Sequence, residues 1–94
     1  MAQAGPSPSN VQTTLELRDE EDQLRKSDAD IAAGWTRLLR QECLLRDLKV
    51  AGKPFQEAER LVALLRDTLT EWERHRTLIE QRIAYLRERR AQGS

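Results

Sequence analysis

Residues 55–86 read FQEAERLVALLRDTLTEWERHRTLIEQRIAYL. Within them Phe55, Ala58, Val62, Leu65, Leu69, Trp72, Arg76, Ile79, Ile83 and Leu86 follow at alternating steps of three and four. Such steps keep side chains on one stripe of an α-helix, whereas a strand needs a period of two. The stripe runs for more than four heptads, with Arg76 as its only polar member. The pattern predicts a long helix, about 54–90, that packs against another helix. Leu61, Leu64, Leu78 and Tyr85 lie off the seam and form a second, weaker stripe. A helix with two apolar stripes contacts more than one neighbour.

Upstream, Ala51-Gly52-Lys53-Pro54 breaks the helical pattern over 51–54. Gly52 suits the left-handed residue that ends a helix, and Pro54 suits the first turn of the next. Before the break, about 13–50, Leu17, Leu24, Ile31, Leu38 and Leu45 recur every seven residues. Thr13 or Thr14 is a candidate N-cap for this helix. Two long helices joined by so short a break predict an all-α fold, an antiparallel αα-hairpin or coiled coil. Partner helices are expected to complete it into a bundle, because a two-helix hairpin hides only one stripe per helix.

Folding the chain at Gly52 sets residue i opposite about 105 − i. Charge agrees with this register. Residues 16–30 carry seven acids against three bases, and residues 74–90 carry six arginines against two glutamates. Asp19, Glu20, Glu21 and Asp22 then fall beside Arg82, Arg87, Arg89 and Arg90. Arg76 faces Asp28 or Asp30, which makes Asp28 and Arg76 a candidate polar layer of the kind that fixes register in coiled coils. Gly34 falls near Trp35 and Trp72, where a missing side chain leaves room for a ring. Leu38, Leu45, Val62, Leu65, Leu69, Trp72, Ile79, Ile83 and Leu86 are the expected helix-packing interface. Leu61, Leu64, Leu78 and Tyr85 are the expected partner-facing stripe.

The chain has 94 residues, 38% hydrophobic and 34% charged, which fits one domain of helices with solvated faces. Residues 1–12 are rich in small and polar types and predict a disordered tail; 91–94 are expected to be flexible. Ser7-Pro8 is a candidate proline-directed phosphorylation site within that tail. The N-terminus has no basic start or apolar run of a secretory signal, and no stretch is apolar enough to span a membrane. An intracellular location follows as the expectation, cytoplasmic or cytoskeletal before nuclear.

Catalytic chemistry has little visible foothold. His75 is the single histidine and Cys43 the single cysteine, so neither a disulfide nor a zinc cluster is expected. Cys43 lies in Leu-rich helix and reads as a small buried apolar group. His75, between Arg74 and Arg76, reads as a solvated or interface residue. No glycine-rich phosphate loop is present, and no cofactor, metal or catalytic residue is expected. Formal net charge is zero, which argues against nucleic acid as a partner.

The sequence therefore predicts a non-enzymatic coiled-coil subunit that assembles or bridges other helical protein subunits, or a second copy of itself. The alternative is a self-sufficient homodimeric four-helix bundle whose Arg-rich end, Arg82 to Arg90, binds nucleic acid or an anionic surface. The ratio of thirteen Arg to three Lys favours phosphate contacts there, but no aromatic platform accompanies them.

Overall fold

The computed structural model describes residues 8–93. Among them there are two helices, α1 (Pro8–Val50) and α2 (Gln56–Gln92), and no strand. They pack antiparallel along their length as a helical hairpin.

The turn between them follows from Gly52, whose φ is +68°. Its N–H donates to the Lys49 carbonyl at 3.1 Å, and the Lys53 N–H donates to the Leu48 carbonyl at 2.9 Å. That pair of bonds is the Schellman arrangement, which satisfies the last carbonyls of a helix. Pro54 biases Lys53 away from helical backbone, so α2 starts only after Phe55, whose φ is −128°. The helix thus begins at Gln56, two residues later than the pattern predicts.

α1 begins earlier than expected. It starts at Pro8, where the missing N–H costs nothing in a first turn. Thr13 and Thr14 are therefore inside the helix and do not cap it. Thr13 is buried, and the Thr14 hydroxyl donates to the Asn10 carbonyl at 3.0 Å. The expected tail is helical over residues 8–12, while residues 1–7, Ser7 among them, lie outside the described residues. At the other end Ala91 and Gln92 continue α2, and the Gly93 N–H closes it on the Arg89 carbonyl at 3.0 Å; Ser94 lies outside the described residues.

The core forms in two pieces. Near the open end Leu17, Ile79, Ile83 and Leu86 are buried together, with Leu24 packed against them. Toward the turn Leu38, Val62 and Leu69 are buried, flanked by Ile31, Leu45 and Leu65. Arg76, the polar member of the seam, falls between the two pieces in sequence. Its Nε donates to Asp28, and its Nη1 lies 3.1 Å from Glu80. The hydrogen bond to Asp28 holds the Arg76 guanidinium above its ordinary pKa, against a partial loss of water around it.

Four further cross-helix ion pairs follow the same register: Glu16–Arg82 at 3.3 Å, Glu21–Arg87 at 3.0 Å, Lys49–Glu59 at 3.4 Å, and Glu42–Arg66. All are solvated, so each contributes at most about 1 kcal/mol. Their value is in orientation, since parallel pairing of like helices would set like charges together. Asp22 turns instead to Arg25 on its own helix.

Candidate functional site

Of the residues expected on the packing interface, Leu38, Val62, Leu69, Ile79, Ile83 and Leu86 are buried. Leu45 and Leu65 are half-buried, and Trp72 is 37% exposed. Leu61, Leu64, Leu78 and Tyr85 are all exposed on α2. The Arg82 guanidinium lies 5.6 Å from the centre of the Tyr85 ring, and Arg89 Nη1 lies 3.5 Å from its hydroxyl. Cys43 is exposed, not buried. The Leu-rich composition around it is misleading, because Leu38 and Leu45 set the inward face and residue 43 falls between their turns.

Grooves run along the seam where the two cylinders meet. On one side Glu42, Arg46, Lys49, Glu59 and Arg66 border a groove of about 480 Å³ floored by Leu45 and Val62. Its charges are largely spent on one another, through Glu42–Arg66 and Lys49–Glu59. A second groove, of about 310 Å³, lies among Glu16, Asp19, Glu20 and Arg82 and is dominated by acid.

A third groove, near mid-length, has a different character. Gln23, Lys26, Ser27 and Asp30 line it from α1, and Trp72, His75 and Ile79 from α2, around about 170 Å³. Lys26 and Asp30 are one helical turn apart, so both charges reach the same groove. Neither enters an ion pair among the described residues. Trp72 and Ile79 supply an apolar wall, and Ser27 and His75 supply hydrogen-bonding groups. The result is a small open cleft with one cation, one anion and an aromatic face. It can hold a small zwitterion, the carboxylate toward Lys26 and the ammonium toward Asp30. Typical small-molecule pockets are larger, about 300–1,000 Å³, and this cleft is open to solvent, so a bound amino acid would be only partly enclosed.

Sequence reasoning did not assemble this cleft. Asp30 appeared only as the alternative partner of Arg76, and His75 only as a solvated or interface residue. The signal was present in the register, which sets Asp30 opposite His75. Among the described residues no group of three or more His, Cys, Asp or Glu is placed to hold a metal ion, and no helix is long and apolar enough to cross a membrane.

By architecture, then, the chain is an all-α antiparallel hairpin with polar grooves along its seam. The model of the glutamate-cysteine ligase family 2 (GCS2) matches residues 3–94, and the chain belongs to that family. No curated protein and no solved structure matches it.

Family membership overturns the expectations that the chain is a non-enzymatic coiled-coil subunit and that it is not an enzyme. The alternative, a homodimeric bundle whose Arg-rich end binds nucleic acid or an anionic surface, falls with them as an account of function. Heptad spacing reports how helices pack; it carries no information about the chemistry of the surface left over.

Proposed function

We propose that the chain serves glutamate–cysteine ligation, the chemistry for which its family is named. Its share is to hold an amino-acid substrate in the groove between Lys26, Asp30, Trp72 and His75. The family match across residues 3–94 carries this function. The groove supports it with a matching set of charges: both substrates are zwitterions, and Lys26 and Asp30 offer the opposite charge to each end.

A cleft this open leaves much of a bound amino acid in water. Ligation needs the reacting carboxylate shielded, so further helices are expected to cover the cleft, from another helical subunit or from a second copy. The decisive experiment incubates the full chain with glutamate, cysteine and a nucleoside triphosphate and follows the condensed product by mass spectrometry. Product that requires the chain and falls at least tenfold in Lys26→Ala and Asp30→Ala supports the assignment. Product unaffected by both variants, or no product together with no binding of glutamate or cysteine to the chain, would overturn it.

A further inference from the structure

Leu61, Leu64, Leu78 and Tyr85 leave a second apolar line on α2, each residue between 39% and 61% exposed. Their spacing extends in both directions by further steps of three and four, from Glu57 to Arg89, and reads the same forwards and backwards about Glu73. We infer that a second copy of this chain packs on this line, α2 against α2 and antiparallel, about a two-fold axis near Glu73.

Charge selects both the occupant and the direction. In the antiparallel register Glu57 meets the partner's Arg89, and Leu61 meets the partner's Tyr85. Leu64 packs along the stem of the partner's Arg82, and Thr68 meets the partner's Leu78. Glu71 meets the partner's His75. Each layer pairs an acid with a base or covers an apolar side chain, and the two-fold axis makes every pairing occur twice. A parallel pair would set Glu57, Glu71, Arg82 and Arg89 each against itself. Sliding the antiparallel pair by one heptad uncovers either Tyr85 or Leu61. The existing contacts of these groups are solvated: Glu71 pairs with Arg74 on its own helix at 2.8 Å, and Arg82 with Glu16 across the hairpin at 3.3 Å. They do not hold the side chains away from a neighbour.

The interface stands apart from the question of what the groove binds. If the groove holds an amino acid, the partner's Glu71 lies at its rim through His75. If the groove holds nothing, the dimer is unaffected.

The test measures the mass of the full chain by sedimentation equilibrium over a wide concentration range, with circular dichroism as the check on folding. The expected result is a reversible monomer–dimer equilibrium. Glu57→Arg alone and Arg89→Glu alone should each weaken it by about tenfold, equivalent to about 1.4 kcal/mol, because each sets like charges together. The double variant Glu57→Arg with Arg89→Glu should restore affinity to within about threefold of the natural chain, as the ion pair is rebuilt in reverse. A chain that stays monomeric while fully helical would overturn the proposal and leave the face to a different helical protein. Assembly beyond the dimer, or a double variant as weak as the single ones, would overturn it equally.

Discussion

Gly34 is the residue whose smallness the packing uses most directly. It is buried in the middle of α1, where glycine is a poor helix former by about 1 kcal/mol relative to alanine. A Cβ at this position would lie 2.7 Å from Leu69 Cδ2 and 3.3 Å from Trp72 Cζ3. Leu69 is only 2% exposed, so its methyl group has little room to retreat. Gly34→Ala should therefore destabilise the chain by about 1 kcal/mol, overpacking of about 1–3 kcal/mol outweighing the helical gain. Urea unfolding checks this, and in a Leu69→Ala background, which alone costs about 2–5 kcal/mol, the same Gly34→Ala change should be stabilising by the helical gain. A stabilised Gly34→Ala would mean that the helices part here at no cost. The glycine was legible in the sequence as a gap near both tryptophans. That Leu69 fills much of it was not, because the neighbours of a gap depend on rotamers and helix rotation. Cys43 shows the converse: composition placed it inside, and its angle on the helix places it outside.

At the scale of the element, the turn was the most legible part of the fold. Gly52 and Pro54 announced it, and the bonds from Gly52 to Lys49 and from Lys53 to Leu48 realise it. A Cβ on Gly52 would touch nothing within 4 Å, so its requirement is purely conformational. Gly52→Ala should lower stability by about 1 kcal/mol through the left-handed backbone alone. Gly52→Asn should lose less, since Asn tolerates that region. Chemical denaturation of the three chains orders them, and equal stability of Ala and Gly would refute the conformational argument. Helix ends were less legible. Thr13 and Thr14 carry the chemistry of N-caps, yet α1 extends to Pro8 and uses one of them in the packed face and the other in a bond back to Asn10. A hydroxyl that suits a cap also suits a helix interior when it bonds four residues back. Arg76 was legible as an interruption of the seam, and the choice between Asp28 and Asp30 was settled only by helix rotation.

For the whole molecule, the hairpin and its register follow from periodicity and charge, both of which are properties of a line of sequence. The cleft does not, because it joins side chains from two lines. Lys26 and Asp30 on one helix look like ordinary solvated charges until Trp72 and His75 are set against them. Enzymatic descent was likewise invisible to heptad counting and came from the family match. The central claim is that this cleft holds an amino acid, and Trp72 in its wall offers a direct readout. In a Trp35→Phe chain, Trp72 is the sole tryptophan. Titrating that chain with glutamate and with cysteine while recording tryptophan fluorescence should give a saturable change with at least one of them, lost in Lys26→Ala and in Asp30→Ala. A flat response to both amino acids, or a response that both variants retain, would contradict it.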